Sequence, residues 1–458
     1  MLKVGASDPE PKESVRKLAT DILTKVDTRK AYADILLDHN LRSKALPAHD
    51  RALLTELIYG TLRWQARLDS YLKPSLRRPL EDTDPFIRNL LRLTVYQLIC
   101  LNRIPDYAAV NEAVELTKAH SGQSAAGFVN GVLRNVLRGK KEFIKPDLRD
   151  SVQDFAQYWS HPEWLVEHWL KYFGAEELEA LLKANNEAAP LVVRTNRRRG
   201  TREELLELFQ GSGIKALVSP WSPHGLLLQS SMPVDKLPGF HDGRFQVQGE
   251  SAQLIVYLLD AKPGERILDG CAVPGGKTTH IAELMDDIGQ VIATDISARG
   301  IKRIEENCRR LGLRSIEAFQ ADLTQELRAP VGLPYDRILI DAPCSGFGTL
   351  RSHPEIKWSR SRSDVRRLTT LQKKILIRAA SYLRSSGVLV YSTCTLTEDE
   401  NETVVEDFLK DHPEFVLDDA AGYLPDQAKS LVRGRYFMAL PHRHNTDGFF
   451  AARMRKVI

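Results

Sequence analysis

Apolar residues recur at three- and four-residue intervals through the first ~140 positions, and that period predicts helices. VRKLATDILTKV, RALLTELIYGTLRWQARLDSYL, PFIRNLLRLTVYQLICL, AAVNEAVELTKAH and FVNGVLRNVLR each carry it. Asp50 is placed to cap the second helix, and Pro85 opens the third, where a missing N–H costs nothing. Polar and proline-bearing breaks, RRPLEDTDP and NRIPDY, separate the segments. Residues 1–140 therefore predict a helical bundle. GKKEFIKPDLRD, charged and interrupted by proline, predicts a linker.

Residues 152–242 mix the two periods. EWLVEHWLKYF, EELEALLKANN and TREELLELFQ predict helices, while LVVRTN and GLLLQ predict short strands, which together make a small α/β module. From 243 to 458 short β-rich runs alternate with helical ones. RILDG, QVIATD, SIEAFQAD, YDRILIDAP and GVLVYSTC are the strands, with KTTHIAELM, RGIKRIEENCRRLG and TTLQKKILIRAASYL between most of them. Such alternation predicts a parallel, doubly wound sheet with ligands at the carboxyl ends of its strands. At 458 residues the chain is long enough for two or three cores of this kind.

Composition narrows the class. Hydrophobic content of 43% and charged content of 27% suit a globular chain, and no apolar run approaches the ~20 residues of a membrane span. MLKVGASDPEPKESVRKL lacks the apolar middle of a signal peptide and predicts a disordered lead-in. Five cysteines without a C-x-x-C pair predict neither a zinc site nor a disulfide framework, and point to a reducing cytoplasm. No His spacing suits a metal, so packing or surface roles are expected for the histidines, including 442–444. Residues 1–140 hold 22 Lys and Arg against 16 Asp and Glu, more than the whole net charge of +4. That asymmetry suits a nucleic-acid-binding attachment. The arginine runs RTNRRRGTREE and WSRSRSDVRR read as solvated faces, or as phosphate grips if they flank a crevice.

Unusual residues stand at successive strand ends. The first strand runs into DGCAVPGGKT. A nucleotide-triphosphatase loop would need its first glycine at position 271, which is Cys, and Gly270 stands one residue early. Asp295 ends the second strand, about twenty residues beyond the glycines, where an acid binds ribose hydroxyls. Asp322 follows the third, placed for an adenine amino group. An adenosine-bearing cofactor without a pyrophosphate is implied. The fourth and fifth strand ends bring Asp341 and Cys344, then Cys394. Two thiols and a carboxylate beside such a cofactor invite covalent catalysis, and methylation at carbon 5 of cytosine asks for that set. Cys100 and Cys308, on helices, read as structural filler, and Cys271 as a backbone contact to the cofactor.

With these residues in view the chain resembles the bacterial cytosine-C5 rRNA methyltransferases of the RsmB type, also called Fmu or Sun. DRALLTELIYGTLRW, RIPDYAAVNEAVEL and GFVNGVLRN carry the likeness in the helical part. CAVPGGKT, DAPCSGFGTLRSHPEIKW, LVYSTCTLTEDEN and TDGFFAARM carry it in the last domain. The resemblance implies a NusB-like all-α domain, a small α/β middle module and an α/β Rossmann-like domain that uses S-adenosylmethionine. It implies that Cys271, Ala272, Val273, Pro274, Gly275, Gly276 and Lys277 form the cofactor loop, with Asp295 at the ribose and Asp322 at the adenine. Asp341 would lie by the methionine end and hold a proton at N3 of the target base. Cys394 would be the nucleophile and Cys344 would assist release. Val273 stands where the family commonly has alanine, and Gly249 where it often has an acid, with Glu250 beside it as a possible substitute.

The expected substrate is one cytidine of 16S rRNA, in the naked or partly assembled small subunit, met by a cytoplasmic monomer needing no metal or membrane. A buried thiol demands an unstacked base, hence a single-stranded target. The same chemistry on tRNA, and a non-catalytic RNA-binding assembly factor, are the alternatives.

Overall fold

A computed structural model describes residues 14–44, 46–139, 145–230 and 232–457. Most of the expected lead-in, and residues 140–144 of the expected linker, lie outside them. The chain divides into two compact units, Met1–Glu167 with His353–Ser359, and His168–Ser352 with Arg360–Ile458.

The first unit forms around its most apolar helix. Helices α1 (Val15–Arg29), α2 (Ala33–Ser43), α3 (Ala48–Arg63), α4 (Gln65–Leu72), α5 (Pro85–Cys100) and α6 (Asp106–Arg138) follow in order. In α5 Asp84 caps the amides of Phe86 and Ile87 and Pro85 takes the first helical position. The helix is buried on nearly every side from Phe86 to Leu98. Gly60 lets α3 approach it, since a Cβ there would stand 2.1 Å from the Tyr96 ring. Three expectations shift. Asp50 lies inside the first turn of α3, which starts after Pro47, because proline disfavours helix in the residue before it and fits at a helix start. The second predicted helix breaks at Trp64 into α3 and α4, and α2 was not anticipated. The last two predicted helices run on as α6 across a kink at Gly122, whose φ of 85° suits glycine. Cys100, expected as core filler, is exposed at the end of α5, beyond the apolar stripe.

His353–Ser359 completes this unit. The Lys357 amine is fully buried and donates to the carbonyls of Arg63 and Ser160 at 2.9 Å each. Burial holds its pKa well below the usual lysine range.

The second unit carries two sheets. Strands β1 (Leu191–Thr195), β2 (Lys215–Val218), β3 (Gly225–Gln229) and β4 (Phe245–Val247) make an antiparallel sheet of order β2-β3-β1-β4, with helix Arg202–Gly211 among the elements that pack on it. β4 pairs with β1, so this sheet reaches past the expected limit at residue 242. β2 and β4 were missed because each is only three or four residues long.

The second sheet has the order β11-β12-β13-β9-β8-β5-β6-β7, with β10 also pairing with β13. Its strands are β5 (Arg266–Gly270), β6 (Gln290–Asp295), β7 (Ile316–Gln320), β8 (Tyr335–Asp341), β9 (Leu383–Thr393), β10 (Phe415–Leu417), β11 (Val432–Arg433), β12 (Tyr436–Ala439) and β13 (Phe449–Lys456). β5 to β9 are parallel, as the alternation predicts. β10 to β13 are antiparallel, which corrects the wholly parallel expectation. The connection from β12 to β13, Leu440–Gly448, is too short for a parallel crossover. Between strands, helix Ala298–Leu311 buries Ile301, Ile304, Cys308 and Leu311, and Gly312 ends it at a φ of 75°.

Arg194 joins the two sheets. This β1 side chain is fully buried and pairs with Glu283 at 2.7 Å. It also donates to the Gly276 carbonyl at 2.8 Å and to Thr279 at 3.1 Å, and touches Gln248. The expectation of a solvated arginine face therefore fails at Arg194, whose strand position turns it inward. Arg197 and Arg198 pair with Asp286 and Asp287, at the turn leading into β6 and so away from the strand carboxyl ends. Arg194→Met should cost about 3–5 kcal/mol in urea unfolding, because Glu283 is left buried and unpaired. A loss below ~1 kcal/mol would mean the pair contributes nothing net.

Candidate active site

β5 lies between β6 and β8, so the chain reverses direction across the sheet there and leaves a crevice at the carboxyl ends. The cofactor and reactive residues singled out in the catalytic domain lie at that edge. The cofactor loop leaves β5 at Gly270, and Asp295 and Asp341 end β6 and β8. Cys344 follows β8, Cys394 follows β9, and exposed Asp322 follows β7.

The loop is shaped by backbone demands. Cys271 takes a positive φ of 60°, uncommon for a side-chain-bearing residue. The Ala272 amide bonds the Thr294 carbonyl at 2.9 Å, and Gly275 turns the chain into helix Gly276–Leu284. Asp295 is held by the amides of Val273 at 3.2 Å and Ser297 at 2.9 Å, which fixes its carboxylate beside the loop. Ile296 next to it is 71% exposed, an apolar surface suited to a planar base, and sequence reasoning missed it. These features fit an adenosine cofactor: an anchored ribose acid, an apolar platform and a glycine turn. Asp322 accepts from the Thr324 amide and hydroxyl, so its own loop uses part of its capacity. Burial, then the carboxylates of Asp295, Asp341 and Asp269, push the Cys271 thiol far up, which keeps it out of thiolate chemistry.

The two departures from the family pattern have local explanations. Val273 packs against Gly300, where a Cβ would come within 2.2 Å of it, so its extra methyl groups are taken up against helix Ala298–Leu311. Glu250 is buried on Ser219, and a side chain at Gly249 would face Asp447 at 3.3 Å. An acid at position 249 would thus meet an acid already present.

The reactive groups converge. The sulfurs of Cys344 and Cys394 stand 3.3 Å apart. The hydrogen bond with Cys394, then burial, raises the Cys344 thiol well above its ordinary pKa. Asp341 accepts from Lys277 at 2.7 Å and from Ser392 at 2.9 Å. Lys277, expected only as a loop residue, thus spans from the cofactor turn to the carboxylate. Its amine also lies 5.0 Å from the centre of the Phe449 ring.

A buried frame holds these groups, and it was not singled out from sequence. Glu400 accepts from the Ser345 amide at 2.8 Å, Gln372 at 3.0 Å and Thr397 at 2.8 Å, with the Ser345 hydroxyl beside them. Asn401 ties Thr393 to the Thr395 carbonyl on either side of Cys394. The signal was present in TEDEN, three acids and an amide close after the thiol. The Gly348 amide donates to the Cys394 carbonyl at 2.9 Å, while the Gly448 amide donates to the Gly348 carbonyl at 2.7 Å. A Cβ on Gly348 would stand 2.0 Å from the Gly448 carbonyl oxygen. Gly348→Ala should therefore shift Cys394 and lower kcat about 100-fold, with cofactor affinity little changed. Unaltered kcat would show that the thiol does not depend on this contact. The histidines at 442 and 444 are structural, as expected: His442 meets Glu177 at 2.9 Å, and the Leu440 amide donates to His444 at 2.9 Å. Cys308 is buried, also as expected, and burial pushes its thiol up to about 12.

Comparison with known proteins bears on the whole chain. Residues 256–455 match the family model described as 16S rRNA methyltransferase RsmB/F, residues 13–138 the NusB family, and residues 161–235 a ferredoxin-like domain of RsmF/B-like methyltransferases. A probable ribosomal RNA small subunit methyltransferase B of Bacillus subtilis is 38% identical over 448 residues, covering 97% of this chain and 99% of that one. The chain belongs to the ribosomal RNA small subunit methyltransferase B family. A member from Pseudomonas syringae pv. tomato is 36% identical, over 93% of this chain and 96% of its own. The crystal structure of PH0851 shares the fold, with a TM-score of 0.81 over 98% of this chain and all of that one at 24% identity. NSun6 from Pyrococcus horikoshii, solved with SFG, superposes with a TM-score of 0.57 over 65% of this chain and 98% of its own, at 25% identity. The family's architecture is the one found here: a NusB helical domain, a ferredoxin-like module and a mixed-sheet catalytic domain. Its activity is S-adenosylmethionine-dependent methylation of RNA. Among the described residues no helix is long and apolar enough to cross a membrane.

Proposed function

We propose that this enzyme methylates carbon 5 of one cytidine in 16S rRNA through a covalent adduct between Cys394 and carbon 6 of the base. The observation that carries this reading is the thiol pair, 3.3 Å apart at neighbouring strand ends, beside Asp341. Bound S-adenosylmethionine supplies an electrophilic methyl group on a sulfonium. The Cys271–Lys277 loop, Asp295 and Asp322 hold it in the crevice.

Carbon 5 of cytosine is a poor nucleophile. Addition of the Cys394 thiolate to carbon 6 breaks the 5,6 double bond and moves its electron pair toward carbon 5 and N3. Asp341 holds the N3 proton that stabilises this electron-rich adduct. Lys277 and Ser392 fix the carboxylate for that task. After methylation the carbon 5 proton passes to water, the double bond re-forms, Cys394 leaves as thiolate and the N3 proton returns to Asp341. The Cys344 thiol, 3.3 Å away, donates a hydrogen bond to the departing sulfur. A base at these thiols has to leave its stack, so the target is single-stranded, in a naked or partly assembled small subunit. The segment 1–140 supplies RNA affinity, 152–242 positions the strand and 243–458 performs the chemistry, in a cytoplasmic monomer.

Cys344→Ala incubated with unmodified 16S rRNA and S-adenosylmethionine should give a slow-migrating protein–RNA band on a denaturing gel. The band should vanish when Cys394 is also replaced. A band with tRNA alone moves the substrate to tRNA, and none with either RNA leaves a partly assembled subunit as substrate or a non-catalytic assembly factor.

A further inference from the structure

Within the helical unit, Asp34 in the first turn of α2 meets His353 and Glu355 of the seven-residue segment His353–Ser359. One ligand atom from each residue lies within 4.8 Å of the others. His353 Nδ1 stands 3.8 Å from Glu355 Oε1. The cluster takes no part in the chemistry above.

Its carboxylates are short of partners. Glu355 is only 4% exposed. Its Oε1 accepts from the Ala33 amide at 3.1 Å, but its Oε2 is shielded from water and receives no hydrogen bond. Asp34 Oδ1 is in the same position. Among the described residues neither carboxylate forms an ion pair with lysine or arginine. Two carboxylates this close in a dry site repel each other and have lost their hydration, a cost that a cation removes. Their field is felt nearby: burial, then Asp34 and Glu355, push the Tyr59 phenol up.

We infer that Asp34, His353 and Glu355 bind one divalent cation of the zinc class, with water completing its shell. An imidazole with two carboxylates is a borderline donor set, which suits zinc and disfavours the all-oxygen preferences of magnesium and calcium. Bonds of about 2.1 Å place tetrahedral ligands about 3.4 Å apart, close to the 3.8 Å between His353 and Glu355. The ion would fasten His353–Ser359 to α2. Ligands at positions 34 and 353 leave no local motif, which is why residue spacing predicts no metal.

The test uses the full-length protein stripped with a chelator. Zinc binding is followed by calorimetry, and cobalt(II) is added separately as an optical probe. The expected result is one zinc per chain with a dissociation constant below about 1 µM, weakened about 10–100-fold in both His353→Gln and Asp34→Asn. Both substituted residues are partly exposed whereas Glu355 is buried, so these variants should fold. The cobalt spectrum should lack an intense sulfur-to-metal charge-transfer band. Zinc that fails to bind at about 100 µM overturns the proposal. Unchanged affinity in both variants overturns it too. So does an intense charge-transfer band that Cys344→Ala abolishes, which would place the ion on the paired thiols.

Discussion

Cys394→Ala should lose methyl transfer by about 10⁴-fold or more, because without a nucleophile carbon 5 never becomes reactive. Affinity for S-adenosylmethionine should change by less than about threefold, since the loop and Asp295 are held by backbone contacts independent of that sulfur. Tritium transfer from labelled cofactor to 16S rRNA measures the first quantity and calorimetry the second. The alternative nucleophile is Cys344, whose sulfur stands 3.3 Å from that of Cys394. Turnover within tenfold of wild type would move the attacking role away from Cys394.

Asp341→Asn is the second large effect. The amide keeps the size of the carboxylate and can still accept from Ser392, but it loses the charge paired with Lys277 at 2.7 Å and cannot hold the N3 proton as an acid. A fall in kcat of about 10³-fold is expected, in the range for removing a group that stabilises developing charge. The KM for RNA should move by less than about tenfold, because the adduct needs this proton and the ground state does not. A change confined to KM would make Asp341 a binding residue and leave N3 protonation to another group.

The strand-end reading of the catalytic domain was available from sequence because parallel strands buried on both faces are near-continuous apolar runs, and residues after them fall at one edge. RILDG and YDRILID are such runs, so the cofactor loop and Asp341 were found by position. The antiparallel end of the sheet was harder. YFMA and FFAARM pair through a short connection, with only the four-residue helix Pro441–His444 between them to mark the alternation. The supporting residues were hidden for another reason. Glu400, Gln372 and Gly348 act through contacts to residues 28 to 100 positions away, and a buried glutamate looks like a surface one in a linear chain.

By itself the sequence determined the helical and α/β halves, the cofactor turn, and the acids and thiols at successive strand ends, all written in local periodicity and turn chemistry. Tertiary structure alone decided that Cys344 and Cys394 meet at 3.3 Å, that Lys277 reaches Asp341, and that Arg194 is sealed against Glu283. It also decided that Asp34 finds His353 and Glu355. Those pairings join residues 50 to more than 300 positions apart, and only the burial and close packing of the folded chain bring their polar atoms within reach of one another.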